Sequence, residues 1–254
     1  MADLPGNLLA AARQVLETER MFAGQFIPAR RNELPEMVLA PAAGAPPELA
    51  PNEKAGALGQ LEQEALSCGS CMLAQTRNKV VFGEGSADAE LVFVGEAPGA
   101  EEDATGRPFV GRAGELLSRM IAAMGLRRQD VYICNMLKCR PPGNRNPNPQ
   151  EIECCWGFLV RQLQIIRPRV IVTLGNPATK GLLQTSEGIT QMRGHWQKLP
   201  DIGEGLAGID VMPTFHPAYV LRQYNQDTRG KVWADLRAVM EKLGLQPPDK
   251  GPPR

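Results

Sequence analysis

Short apolar runs, bounded by turn residues, recur along the middle of the chain. They are rich in β-branched and aromatic residues, which is typical of β-strands. The run Leu91–Val94 in particular is typical of a short buried strand. We predict four strands, at Leu91–Val94, Val131–Cys134, Val170–Leu174 and Val211–Phe215.

Between and after these runs, apolar residues recur every three or four positions, as on one face of an α-helix. The first such stripe ends at Gly125 and the second ends before Pro168, two residue types that stop helices. The stripes are Leu116, Leu117, Met120, Ile121 and Met124; then Ile152, Cys155, Leu159, Leu163 and Ile166; then Val232, Leu236, Val239, Met240 and Leu243. Alternating strands and helices imply crossover connections between parallel strands. We therefore predict an α/β fold, a three-layer α/β/α sandwich around a central, mainly parallel four-stranded sheet.

The two ends of the chain differ from its middle. Residues 5–22 can form an amphipathic helix, and residues 37–59 are rich in Ala, Pro and Gly, which predicts a flexible linker. We assign residues 1–59 to this helix and linker, residues 60–245 to one globular domain, and residues 246–254 to a disordered tail. The N-terminal segment is long enough to bind a protein partner.

Charge and cysteine content narrow the class of protein. Lys plus Arg equals Asp plus Glu, at 28 each, so any nucleic-acid surface must be local. No apolar run approaches the roughly 20 residues that cross a bilayer, and the N-terminus does not read as a secretion signal. We therefore expect a cytoplasmic monomer without membrane contact, in which the six cysteines are buried thiols or metal ligands rather than disulfides.

Polar side chains follow the predicted strands, where the carboxyl ends of a parallel sheet form a ligand crevice. Glu96 follows the first strand, Asn135 the second, Gly175 and Asn176 the third, and His216 the fourth. The amide of Asn135 suits the polar edge of a heterocycle, and His216 can donate a hydrogen bond to a substrate oxygen. A solvated acid, an Asx turn and an ordinary structural histidine are the respective alternatives. The other histidine, His195, lies in a predicted hairpin, where ordinary hydrogen bonding is the expectation.

One aromatic and several basic residues lie in the same loops. Phe109 sits among glycines, where its ring either packs on the core or stacks on a planar ligand. Near the strand ends, a set of cations could form a rim that binds phosphates, or simply a solvated basic fringe. These residues are Arg107, Arg112, Lys138, Arg140, Arg145 and Arg222.

The cysteines suggest a metal or cluster site. Cys68 and Cys71 form a C-x2-C pair, and Cys139 and Cys155 follow at a spacing unlike the second pair of a zinc ribbon. Spacing alone leaves zinc and iron-sulfur open, and leaves Cys154 as an alternative fourth ligand. Cys134 falls inside a predicted strand, where a buried thiol is expected.

Five ordered motifs together resemble the family 4 uracil-DNA glycosylases, the iron-sulfur branch of the uracil-DNA glycosylase superfamily, over about residues 64–244. The motifs are VFGEG at 81–85, GEAPGAEED at 95–103, TGRPFVGRAG at 105–114, NMLKCRPPGNRNP at 135–147 and HPAYVLR at 216–222. The resemblance implies that a [4Fe-4S] cluster, structural rather than redox-active, is held by Cys68, Cys71, Cys139 and Cys155. It also implies uracil-containing DNA as the substrate.

The resemblance further implies roles for the residues at the strand ends. Glu96 would act beside the glycosidic carbon, and His216 would hydrogen-bond the leaving base. Uracil would contact the backbone around Ala97, stack on Phe109 and be read by Asn135. After the base leaves the duplex, Tyr219, Val220 or Leu221 would fill the gap.

Two further considerations bear on the reaction. Relatives that trap the sugar covalently carry a histidine in the loop between the last two cluster cysteines, and residues 140–154 contain none, which favours hydrolysis. The rival hypotheses are a nucleic-acid-binding module without catalysis and a zinc-stabilised hydrolase of another small substrate.

Overall fold

The computed structural model describes residues 50–246, and these contain a six-stranded sheet. The spatial order of the strands is β1-β3-β2-β4-β6-β5. Their bounds are β1 Glu84–Gly85, β2 Leu91–Gly95, β3 Tyr132–Asn135, β4 Val170–Leu174, β5 Gln197–Lys198 and β6 Asp210–Thr214.

The four central strands are those that the sequence predicts, within one residue at each end. They pair in parallel, as in the register Phe93 with Ile133 and with Val172. The sheet has six strands instead of the predicted four because β1 and β5 add short antiparallel edges. Each edge strand has only two residues, too few to show a hydrophobic pattern.

Eight α-helices precede, connect or follow the described strands. They are α1 Pro51–Leu66, α2 Ala100–Thr105, α3 Arg112–Ala123, α4 Pro149–Ile166, α5 Asn176–Leu183, α6 Ile189–Met192, α7 Pro217–Arg222 and α8 Gln226–Leu243. Short 3-10 turns occur at Met72–Gln75, Arg128–Asp130 and Pro142–Asn144. None of the helices between residues 50 and 246 combines the length and apolar character needed to cross a bilayer.

Helices cover both faces of the sheet, which confirms the three-layer prediction. Along β2, Val92 and Val94 belong to one apolar cluster, while Leu91 and Phe93 belong to the other. The first cluster contains side chains of α1 and α4, and the second contains side chains of α3 and α8. This burial on both faces explains the continuous apolar runs of the central strands.

The linker prediction does not hold for residues 51–59, because α1 begins at Pro51. The helix starts as many do, with proline in its first turn and with the Glu53 carboxylate accepting a hydrogen bond from the Ala50 N–H at 2.8 Å. Composition misled here because the helix also contains two glycines and three alanines. The predicted helix at 5–22, the rest of the linker, the N-terminal partner segment and the tail beyond residue 246 lie outside the described residues.

The strand order reverses at β2. The chain passes from β2 to β3 on one side and then crosses to β4 on the other. In open α/β sheets, ligands bind beyond the carboxyl ends of the strands at such a reversal. Glu96, directly after β2, therefore stands at the position where the fold itself predicts a site.

Candidate active site

A cleft of about 690 Å³ opens at the carboxyl ends of the four central strands. It brings together predicted site residues from the loops after β2, β3 and β6. Among its lining residues are Glu96, Ala97, Phe109, Asn135, Arg145, His216, Tyr219 and Arg222. The predicted residues Arg107, Arg112, Lys138, Arg140 and Leu221 do not line it.

Asn135 is the polar group buried deepest in the cleft wall. Its side chain is 2% exposed, and its Oδ1 has no hydrogen-bond partner in the structure. A buried polar atom without a partner costs free energy, and such atoms are rare in folded proteins. Because Asn135 lines the cleft, its unpartnered Oδ1 is available to accept a hydrogen bond from the N–H of a bound ligand.

Phe109 adopts a strained backbone conformation beside Asn135. Its φ is +51°, which is uncommon for a bulky residue and concentrates at functional sites. The Phe109 carbonyl lies where a side chain at residue 114 would project, since a Cβ at Gly114 would be 1.8 Å from that oxygen. The buried ring faces the cleft, where its flat surface can stack on a planar ligand.

Two charged side chains hold the Phe109 loop in place. The Glu102 carboxylate accepts hydrogen bonds from the N–H groups of Val110, Gly111 and Gly99, at 2.9, 3.1 and 3.1 Å. Arg128 donates to the carbonyl oxygens of Pro108 and Phe109, at 2.7 and 3.0 Å. Sequence analysis missed both residues, although Glu102 lies within the GAEED motif.

Glu96 is half-buried at the cleft, and its backbone oxygen accepts a hydrogen bond from the Leu137 N–H at 3.0 Å. Desolvation by burial raises the pKa of its carboxyl above the ordinary value of 4.5. Within residues 50–246, the carboxylate forms no ion pair or hydrogen bond with another side chain. It is therefore free to act on a bound molecule.

His216 caps the N-terminus of α7. Its Nδ1 accepts a hydrogen bond from the Ala218 N–H at 3.1 Å, so Nδ1 carries no proton and Nε2 carries one. Burial, assisted by the charge of Arg222, lowers the pKa of His216 to about 4. At neutral pH the ring is thus an uncharged donor, and its centroid lies 5.7 Å from that of Phe109.

The predicted basic rim is only partly available. Lys138 is 1% exposed and donates to the Asn135 carbonyl and to Gln162 Oε1, at 2.7 and 2.6 Å, so the prediction that it contacts DNA is wrong. Arg107 pairs with Glu84, and Arg145 pairs with Glu151. Sequence alone could not reveal these partners, because they come from other elements or from the far side of a loop.

The remaining predicted contacts are more exposed. Arg140 donates to Asn144 Oδ1 at 2.7 Å. Arg112 and Arg222 are exposed and form no ion pair with any described residue. On α7, Tyr219 is exposed and its ring packs on Phe215 at 4.9 Å, whereas Val220 is buried, which removes Val220 as a wedge candidate. Leu221 is partly exposed.

The cysteines predicted as ligands come from three separate segments. Arg77 joins two of these segments, because it donates to Cys139 Sγ at 3.2 Å and to the Cys68 carbonyl at 2.8 Å. The Lys138 N–H donates to Cys155 Sγ at 3.4 Å. Burial raises the pKa of Cys155 to about 11, with smaller contributions in the same direction from Cys139 and Cys71. These thiols therefore lie within electrostatic range of one another.

The other two cysteines are placed differently. Cys134 is buried within β3, as predicted. Cys154 directs its Sγ to the Ser70 carbonyl at 3.4 Å. All six cysteines are free thiols. Within residues 50–246, no three Cys, His, Asp or Glu side chains are grouped closely enough to bind a single metal ion.

Comparison with known proteins identifies the family. The family model described as "Uracil DNA glycosylase superfamily" matches residues 82–237. A type-4 uracil-DNA glycosylase of Thermotoga maritima is 46% identical over 180 residues, covering 69% of this chain and 89% of the relative. One from Archaeoglobus fulgidus is 43% identical and covers 75% and 96%, respectively. A type-5 uracil-DNA glycosylase of Pyrobaculum aerophilum is 32% identical and covers 53% and 63%.

The family model spans all residues that line the cleft, and the matches together confirm the resemblance found in the five motifs. The chain belongs to the uracil-DNA glycosylase superfamily, in the type-4 branch.

Proposed function

We propose that this chain removes uracil from DNA by hydrolysing the N-glycosidic bond, leaving an abasic site and free uracil as a first step of base excision repair. The names of its type-4 relatives support this activity. The observation that carries it is the buried, unpartnered Oδ1 of Asn135, a residue that lines the cleft together with Phe109 and His216.

The residues of the cleft match the chemistry of uracil. The base is planar, and its ring carries an N–H between two carbonyl groups. Phe109 stacks on its face, Asn135 Oδ1 accepts the ring N–H, and the uncharged His216 donates from Nε2 to a carbonyl oxygen. The backbone around Ala97 forms part of the same wall.

The same residues support bond cleavage. When the bond between the sugar C1′ and the base N1 breaks, its electron pair stays on uracil and positive charge develops on the sugar. The Glu96 carboxylate stabilises the sugar or orients the water that adds to C1′, while His216 hydrogen-bonds the oxygen that gains negative charge. A neutral donor suits this task because it is protonated at Nε2 at every physiological pH.

DNA must bend or open so that uracil can enter the cleft. Helix α7 lies at its mouth, where Tyr219 and Leu221 are available to fill the vacated space. Arg112 and Arg222 are exposed cations without acidic partners among residues 50–246, so they can bind DNA phosphates directly. Arg107, Arg140 and Arg145 can also bind phosphates if they first release Glu84, Asn144 and Glu151, respectively.

We further propose that Cys68, Cys71, Cys139 and Cys155 hold a [4Fe-4S] cluster. Four thiolates are the usual ligand set of such clusters, and the N–H donors of Arg77 and Lys138 to two of the sulfurs are typical of their surroundings. The cluster would tie together the turn after α1, the loop after β3 and helix α4. Cysteines that act as ligands or buried thiols rather than in disulfides are typical of a reducing compartment, and we propose the cytoplasm.

The deciding experiment incubates the protein with a uracil-containing oligonucleotide and then cleaves abasic sites with alkali. We expect strand cleavage by the parent chain and a loss of roughly 10²–10⁴-fold in rate for Glu96→Gln. Glu101→Gln, which changes an exposed glutamate nearby, serves as the control. No cleavage by the iron-loaded parent would support the rival DNA-binding module instead. Full cleavage activity of Glu96→Gln would show that catalysis does not need the Glu96 carboxylate.

A further inference from the structure

A second, smaller groove lies beside α7. It is formed by residues of α3 and α8, by Val220 of α7 and by Tyr224 in the segment that joins α7 to α8. Its lining residues are Leu116, Arg119, Met120, Ala123, Val220, Tyr224, Arg229, Val232, Trp233 and Leu236. Neither the predicted function nor the catalytic residues account for it.

The polar rim of this groove carries a single sign of charge. Arg119 and Arg229 are its only charged lining residues, and neither forms an ion pair within residues 50–246. The Arg229 guanidinium lies 5.1 Å from the ring centroid of Tyr224, whose side chain is 54% exposed. An exposed aromatic ring beside unpaired arginines is the combination that stacks nucleobases and neutralises phosphates.

Helix α7 contributes residues both to the proposed DNA surface and to the groove. Ala218, Tyr219 and Arg222 of α7 line the cleft, whereas Val220 of the same helix lines the groove. A strand that enters the cleft and passes over α7 therefore reaches Tyr224, which follows Arg222 closely along the chain. The apolar residues of the groove could also contact a protein partner. Two unpaired arginines, however, favour a polyanion as the ligand because their charges need negative partners.

We propose that this groove binds DNA outside the flipped nucleotide, with a base stacked on Tyr224 and the flanking phosphates held by Arg119 and Arg229. The inference rests on the proposed function, because it takes DNA as the ligand. It adds a binding site that contacts neither uracil nor the reacting bond.

The test measures binding of a fluorescent single-stranded oligonucleotide without uracil, by anisotropy, over a series of salt concentrations. The double variant Arg119→Ala/Arg229→Ala should bind the oligonucleotide about tenfold more weakly at low salt. The slope of its log affinity against log salt concentration should be smaller in magnitude by about one to two. Tyr224→Ala should weaken binding at least about fivefold with an unchanged slope, and Tyr224→Phe should restore it. Arg127→Ala is the control, since Arg127 is an exposed arginine that does not line the groove and pairs with Asp130.

Each outcome decides the matter. Parent-like affinity and slope for both groove variants would overturn the inference and leave the groove to a protein partner. Thermal unfolding of each variant excludes misfolding as the cause of weaker binding. Uracil release by the parent is measured separately: its absence would defeat the proposed function, whereas weaker binding by the groove variants would still support a DNA site.

Discussion

The side-chain oxygen of Asn135 occupies the space that a methyl group on Gly95 would need. A Cβ at Gly95 would lie 2.3 Å from Asn135 Oδ1 and 2.6 Å from Phe109 Cζ, both far inside van der Waals contact. The last residue of β2 must therefore be glycine for the amide and the ring to face the cleft together. The backbone of β2 thus limits the positions of two side chains, one from β3 and one from the loop before α3.

Gly95→Ala should consequently disable the site while leaving the fold intact. The added methyl group forces Asn135 and Phe109 apart, and a displacement of about 1 Å at a catalytic site can cost 10²-fold in rate. We expect kcat/KM for uracil release to fall at least about 100-fold. Gly59→Ala in α1 is the control, because nothing lies within 4 Å of its added Cβ. Near-normal activity of Gly95→Ala would show that Asn135 does not need its observed position.

The pKa of His216 predicts how stability depends on pH. Unfolded histidine binds a proton near pH 6.5, whereas folded His216 does so only near pH 4. Between these values the unfolded chain binds more protons, so the free energy of unfolding falls as pH falls. From pH 7 to pH 5 this one group should remove about 2 kcal/mol.

Urea unfolding of the parent and of His216→Gln at pH 7, 6 and 5 measures this contribution. Other groups titrate equally in both proteins, so the difference between their unfolding free energies isolates His216. Between pH 7 and pH 5, the free energy of unfolding of the parent should fall by about 2 kcal/mol more than that of His216→Gln. A constant difference would mean that His216 has an ordinary pKa, and the neutral-donor role would lose its support.

Glu102 should act on substrate binding through the loop that carries Phe109. Glu102→Ala leaves the N–H groups of Gly99, Val110 and Gly111 without their acceptor, which should cost about 1–3 kcal/mol of stability. Because the stacking ring becomes mobile, KM for uracil-containing DNA should rise more than kcat falls. Glu101→Ala, an exposed neighbour, should change neither value. An equal loss of kcat in Glu102→Ala would assign this carboxylate a direct part in the chemistry.

The sequence predicts the parallel core and the strand-end residues well, for a physical reason. Strands such as Val170–Leu174 are buried on both faces, so their apolar composition is enough to recognise them in the sequence. Parallel pairing of the four central strands then brings Glu96, Asn135 and His216 to the same edge of the sheet. Edge strands such as Gln197–Lys198 are short and polar, and leave no such mark.

The arrangement around the site was harder to predict because it depends on which partner a charged group finds. Lys138 and Arg222 both look in the sequence like cations near a strand end. In the structure, however, Lys138 is buried and donates hydrogen bonds to the Asn135 carbonyl and to Gln162. Glu102 accepts backbone N–H groups of Val110 and Gly111, in the loop where Phe109 has a positive φ. Both outcomes depend on the folded conformation of loops, which the pattern of residue types does not show.

Substitution of the adjacent cysteines Cys154 and Cys155 separates the proposed cluster ligand from its neighbour. Cys155 lies in electrostatic range of Cys139 and Cys71, whereas Cys154 contacts the Ser70 carbonyl. Cys155→Ser should therefore lose the brown visible absorption and bound iron of the purified parent and unfold at lower temperature, because a ligand that joins three segments is removed. Cys154→Ser should keep both the colour and the iron. Loss of colour in Cys154→Ser alone would exchange the two assignments, and a colourless parent containing stoichiometric zinc would refute the cluster.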